Sequence, residues 1–159
     1  MADIIAFTGH RPPKLGGYGE PTTAKLIKLA TEYLATHRPD WACVGMALGW
    51  DQACAYACYK LKIPFTACIP HEGQEDIWPE ASKEWYRRLL KAAAEKVVVS
   101  PGAYASWKMQ TRNEFMVAHS DKLVALWDGS QGGTFNCVQY AQAQGKPIEN
   151  LWKAFKAMP

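Results

Sequence analysis

The sequence predicts an α/β fold, a Rossmann-like three-layer sandwich on a mostly parallel sheet. Three observations predict it. Short apolar runs without polar alternation recur along the chain, as expected of strands buried on both faces. Between them lie stretches whose apolar residues return at helical spacing, so strand and helix alternate. The runs break at Gly9, Gly49, Pro70 and Pro101-Gly102, residues that end strands and open loops.

The elements follow in order. Asp3 to Thr8 reads as the first strand, and the loop from Gly9 to Gly19 sets His10, Arg11 and Lys14 among prolines and glycines. Pro21 suits a first helical turn, and Leu26, Ile27, Ala30, Tyr33 and Leu34 continue that helix to His37. Trp41 to Met46 is the second strand, followed past Gly49 by a helix that begins near Trp50. Ile63 to Ile69 is the third strand, and a polar loop from His71 to Trp78 follows it. Pro79 opens a helix with Ala81, Trp85, Leu89 and Ala92 on one face. Lys96 to Ser100 is the fourth strand. From Thr111 the pattern predicts a helix carrying Arg112, Asn113 and Glu114 near its start, then a buried strand from Leu123 to Trp127. A glycine-rich turn leads into a helix at Thr134. Lys146 to Glu149 reads as a short last strand before a terminal helix.

With 159 residues, 48% hydrophobic and 21% charged, the chain is read as one domain spanning residues 1–159. The formal charge of +3 does not by itself call for nucleic acid. Five cysteines, an odd number without paired secretory spacing, read as reduced core thiols of a cytoplasmic protein. Cys54 and Cys58 lie one helical turn apart but lack a nearby His or second Cys pair, so no metal is expected. No apolar run reaches membrane-spanning length, and no cofactor is expected.

In such sheets ligands bind beyond the carboxyl ends of the strands, at the switch in strand order. The loops there carry Gly9, His10 and Arg11, then Gly49, Asp51 and Gln52, then His71, Glu72 and Gln74, and finally Asp128, Ser130, Gly132, Gly133 and Thr134. A strand running through glycines into a helix N-terminus offers backbone N–H groups to an anion. Ser130 and Thr134 add hydroxyl donors, and Arg11 with Arg112 are expected to clamp the same phosphate. No Gly-x-Gly-x-x-Gly follows the first strand, and there is neither a phosphate-binding Gly-Lys-Ser/Thr loop nor a Gly-x-Ser-x-Gly elbow. With no His-Glu-x-x-His helix either, these absences disfavour a standard dinucleotide enzyme and remove two common hydrolase classes.

Four motifs together resemble a known group: Ile5 to Pro12 (IAFTGHRP), Gly45 to Gln52 (GMALGWDQ), Arg112 to Asp121 (RNEFMVAHSD) and Gly132 to Thr134 (GGT). They resemble the SLOG superfamily, which joins the DNA-processing Smf/DprA proteins to the LOG phosphoribohydrolases, and within it the small YspA/YpsA-type members. The resemblance implies a Rossmann-like fold, a nucleotide-derived ligand at the glycine turn, and a homodimer or larger homo-oligomer. In LOG enzymes an Arg-Lys pair and a Pro-Gly-Gly-x-Gly-Thr-x-x-Glu turn cleave a base from ribose 5′-monophosphate. Here Arg112 matches the arginine, Asn113 replaces the lysine, and Cys137 stands where the glutamate is expected.

Cleaving an N-glycoside needs a carboxylate near the anomeric carbon. The candidates for catalysis are Asp51 and Glu114, with Arg112 beside them; Glu72 and Asp128 are further carboxylates, and Trp78 or Tyr18 could stack on a base. Three readings stay open from sequence: a nucleotide N-glycosidase, a sensor or sequestering protein for a nucleotide signal, and a single-strand nucleic-acid binder of the DNA-processing type.

Overall fold

Every apolar run becomes a strand, and each pairing between strands is parallel. The computed structural model describes residues 2–159. The strands are β1 (Ile4–Gly9), β2 (Trp41–Val44), β3 (Phe65–Ile69), β4 (Glu95–Val98), β5 (Lys122–Leu126) and β6 (Ile148–Asn150), in the order β4-β3-β2-β1-β5-β6. The helices are α1 (Glu20–His37), α2 (Trp50–Leu61), α3 (Glu80–Ala92), α4 (Trp107–Ala118), α5 (Gly133–Ala143) and α6 (Trp152–Ala157).

Alternation along β1 shows the three layers. Ile5 and Phe7 join a core with Leu26, Leu34, Trp50, Tyr86 and Phe155, drawn from α1, α2, α3 and α6. Ala6, between them, joins the opposite core with Met116, Val117, Cys137 and Val138 from α4 and α5. Both faces of the central strand are covered, so its sequence has no polar alternation to show. All five cysteines are free and buried in these layers. Among the described residues no helix is long and apolar enough to cross a membrane.

Several boundaries shift by a few residues from the sequence reading, and two of the differences shape the site. β2 stops at Val44 because the next carbonyl, that of Gly45, accepts side-chain N–H groups from Arg112 (2.6 Å) and Gln74 (3.1 Å) and not a neighbouring strand. Helix α4 begins at Trp107, about one turn earlier than expected. Arg112 therefore lies in mid-helix, where it projects into the fold and not from a helix end. The chain runs from β1 outward to β4 on one side and crosses back to β5 on the other. The loops after β1 and β5 consequently part at the carboxyl edge and leave a crevice.

Candidate functional site

That crevice has a volume of about 470 Å³ and is lined by Thr8, Gly9, His10, Arg11, Pro13, Lys14, Ala47, Asp51, Met109, Arg112, Asn113, Gly132, Gly133 and Thr134. Its size suits a small ligand. One wall is the start of α5, where the N-terminal residue has no side-chain cap and Gly132 (φ 145°) turns the chain into the helix. The first N–H groups of such a helix need an acceptor from outside it. Asn113 holds this turn from α4 through Nδ2–H to the carbonyl of Gly133 (3.4 Å).

The β1 loop supplies the second wall. His10 extends the sheet by donating its backbone N–H to Leu126 O (3.1 Å). Its ring is buried; Nε2 lies 2.8 Å from Asp128 Oδ1 and 3.0 Å from the Asp128 backbone nitrogen, and Nδ1 lies 3.5 Å from Thr134 Oγ1. In the neutral ring Nε2 accepts from the Asp128 N–H, and Nδ1–H then faces the Thr134 hydroxyl. Once protonated, the ring donates from Nε2 to the carboxylate instead. Asp128 also accepts from the hydroxyl and backbone N–H of Ser130. These Ser130 bonds, helped by His10, hold its carboxyl well below the usual carboxylate range. Lys14 Nζ donates to Ser130 Oγ (2.6 Å), bringing a cation to the mouth.

The floor is a buried pair of opposite charges. Arg112, 5% exposed, donates from Nη1 to Gly45 O (2.6 Å) and Cys68 O (3.3 Å), while its Nε–H meets Asn113 Oδ1 (3.2 Å). Its fork is spent largely on the protein, so it serves as a fixed positive floor and not as the open bidentate clamp expected beside Arg11. Gly45 permits this: a Cβ there would lie 2.6 Å from Arg112 Nη1 and 2.9 Å from Asp51 Oδ2. Gly49 does the same for the α2 wall, with φ +93° and a Cβ position 2.9 Å from His10 O. Asp51 follows in the first turn of α2.

Asp51 is 5% exposed and accepts the Ala47 N–H at Oδ2 (3.3 Å), whereas its Oδ1 is buried without a partner. Burial pushes its pKa up to about 6, against the opposing pull of Arg112, the Ala47 N–H and Arg11. A buried acceptor without a donor costs free energy, and one kept in a folded protein calls for an explanation such as a catalytic role, a bound water or an ion. The neighbouring Trp50 Nε1 is also buried and unpartnered, which places both orphan atoms at the start of α2.

Other residues singled out in the sequence fall elsewhere. Glu114 is half-buried outside the crevice lining, with Gln110 Nε2–H on its Oε2 (3.3 Å). Gly49 and Gln52 line a separate cavity, and Gln52 donates to Met46 O (3.1 Å). Gln74 is buried between Gly45 O and the hydroxyl of Tyr86 (2.9 Å). Cys137 is fully buried among Ala6, Val117 and Leu123, and burial raises its thiol to about 11. That position supplies neither carboxylate nor thiolate near neutral pH. Three polar crevice residues, Thr8, Lys14 and Asn113, are not among the ligands expected from the sequence. Lys14 was signalled only as one of three titratable side chains in the β1 loop, and Asn113 only by its place beside Arg112.

Residues 5–151 match the YspA SLOG family. The chain belongs to that family. The SPbeta prophage-derived protein YoqJ of Bacillus subtilis is 34% identical over 134 residues, covering 74% of this chain and 78% of YoqJ. Among solved structures, DNA processing protein A from Streptococcus pneumoniae superposes with a TM-score of 0.70 at 15% identity, covering 94% of this chain. This SLOG chain spans only 50% of that protein's length. The same protein from Helicobacter pylori, described for its single-stranded DNA binding mode, gives 0.68 at 19% identity over 94% of this chain and 65% of its own. The molybdenum cofactor carrier protein of Chlamydomonas reinhardtii gives 0.62 at 18% identity over 99% and 84%. At these identities the structural likeness establishes the shared Rossmann-like fold and leaves function to the site.

Proposed function

We propose that this SLOG protein binds a nucleoside 5′-monophosphate, or a closely related nucleotide-derived phosphate ester, in the β1–β5 crevice, and that Asp51 acts on its N-glycosidic bond. The observation that carries this reading is the unpartnered Oδ1 of buried Asp51, in a crevice whose other wall is the uncapped N-terminus of α5. The phosphate rests on the N–H groups of Gly133 and Thr134, with Arg11 and Lys14 at the mouth balancing its charge. The sugar then lies between that wall and α2. A carboxyl held near 6 is a base poised close to neutral pH. Water adds its oxygen to the anomeric carbon and passes a proton to the Asp51 carboxylate; the carbon–nitrogen bond breaks, its electron pair goes to the base, and the base leaves protonated from solvent.

Incubation with nucleoside 5′-monophosphates, followed by mass spectrometry for free base, tests the reading. Release that stops in Asp51→Asn while calorimetric binding persists supports it. Release that survives Asp51→Asn combined with Glu114→Gln removes the catalytic assignment. A chain that binds these nucleotides without releasing base is a sensor or sequestering protein, the reading favoured by Cys137 in place of a carboxylate. A chain whose crevice takes no nucleotide but whose oligonucleotide binding weakens steeply with salt is a single-strand binder, favoured by exposed Arg11 and Lys14 at the mouth.

A further inference from the structure

Next to the phosphate crevice lies a second recess of about 380 Å³, lined by Arg11, Tyr18, Leu48, Ile77, Trp78 and Pro79. The two cavities share Arg11. We infer that this recess is a ring-binding subsite, which takes the planar base of the ligand whose phosphate occupies the crevice. The inference rests on the nucleotide reading above and deepens it by naming where the base goes.

The surface chemistry of the recess is otherwise costly. Ile77 is 93% exposed and Tyr18 70% exposed, and both flank one concavity together with the half-buried Trp78 and Leu48. Scattered apolar side chains on a surface need no explanation, whereas ones gathered around a hollow that adjoins a polar site mark a place where something flat and apolar is covered. Arg11 adds a planar cation, which stacks on aromatic rings. A heteroaromatic base has two apolar faces and a polar edge, and this recess presents apolar walls with a guanidinium at its junction to the crevice.

One wall is rigid. Trp78 meets Tyr86 edge to face, with centroids 5.2 Å apart at 88°. The Tyr86 hydroxyl donates to Gln74 Oε1 (2.9 Å), and Gln74 Nε2–H donates to Gly45 O (3.1 Å), the carbonyl that also receives Arg112. A continuous chain of contacts thus ties the floor of the phosphate crevice to the wall of the recess. This gives buried Gln74 a positioning role, although it lines neither cavity. Tyr18 also lines the recess, following Gly16 and Gly17, both at positive φ, on the loop that carries Arg11.

The test separates the recess from the crevice by titrating the protein calorimetrically with ribose 5-phosphate and with nucleoside 5′-monophosphates. The subsite predicts that the nucleotides bind more tightly than the sugar phosphate. It also predicts that Tyr18→Ala, at an exposed position where folding is not at stake, weakens nucleotide binding by about tenfold while leaving ribose 5-phosphate unchanged. Ile77→Ser acts in the same direction. If both ligands bind equally and Tyr18→Ala affects neither, the subsite is wrong while the phosphate site stands. If neither ligand binds, the nucleotide reading itself fails and takes the subsite with it. Gln74→Leu, checked by thermal unfolding to be folded, is expected to reduce the nucleotide's advantage over ribose 5-phosphate; an unchanged ratio would remove the positioning role.

Discussion

Asp51 lines the crevice from the start of α2, whereas Asp128, on the turn before α5, lies outside the lining and braces it through His10, and their surroundings push the two carboxyls in opposite directions. Asp51 is buried, has one oxygen without a partner and is raised to about 6; Asp128 is open to solvent, satisfied by Ser130 and His10, and lowered. Two carboxyls separated in this way can take different roles at one site. Asp128 spends its charge on fixing His10 and the glycine turn. Asp51 retains an unused acceptor and a proton affinity near neutrality.

The largest effect is expected from removing the floor beneath this contrast. Arg112→Met leaves the Gly45 and Cys68 carbonyls short of donors and Asp51 without its principal attractive charge, a loss on the order of 3–5 kcal/mol in urea unfolding. In the surviving folded protein the Asp51 pKa moves further up, so any base release should require more alkaline pH. A stability loss below about 1 kcal/mol would mean that the buried guanidinium is not structurally committed.

Asp51→Asn comes next. Base release should fall about a hundredfold or more, since the general base is gone. In the wild type the rate should rise with pH through an apparent pKa near 6, because the ionised form is the base. Stability carries the opposite sign. The folded carboxyl, raised from 3.8 to about 6, holds its proton more tightly than the unfolded one, so its contribution is full at low pH and is lost as pH rises through that window. The span is about 3 kcal/mol, and Asp51→Asn should remove that slope from unfolding curves collected between those pH values.

A smaller effect is expected for Asp128→Ala. It frees His10 and Ser130 and should weaken phosphate-ester binding by about threefold to tenfold, consistent with one lost hydrogen-bonded positioning contact. Global stability should move little at this exposed position, although whatever the lowered carboxyl contributes is lost as pH falls below the carboxylate range. Equal losses of binding for Asp128→Ala and Asp51→Asn would dissolve the division of labour. The smallest effect belongs to Glu114→Gln, which should leave base release unchanged in the same mass-spectrometric assay, because its carboxylate lies outside the crevice lining.

The legibility of these features in the sequence follows from what each depends on. The glycine turn and the cationic β1 loop were readable because backbone freedom and fixed charge are local properties of Gly132, Gly133, Arg11 and Lys14. The environment of Asp51 was not, because its burial and partners come from distant segments, Gly45 and Arg112, whereas Asp128 is set mainly by Ser130 two residues on, with His10 reaching it from the β1 loop. Gln74 reads in the sequence as a loop side chain facing a ligand. In the fold it is a brace, since the Tyr86 hydroxyl and the Gly45 carbonyl converge on it from α3 and the end of β2.

By itself the sequence determined the alternation of strands and helices and the parallel sheet, because apolar periodicity and glycine placement act over a few residues. Only the tertiary structure decided which polar residues were already spoken for. Arg112 was expected to clamp the ligand and is held by carbonyls of the protein; Asp51, equal in sequence to any acidic residue at a helix start, alone among the described carboxyls keeps a buried oxygen unpartnered. Hydrogen-bond satisfaction is a property of three-dimensional neighbours, and no local pattern encodes it.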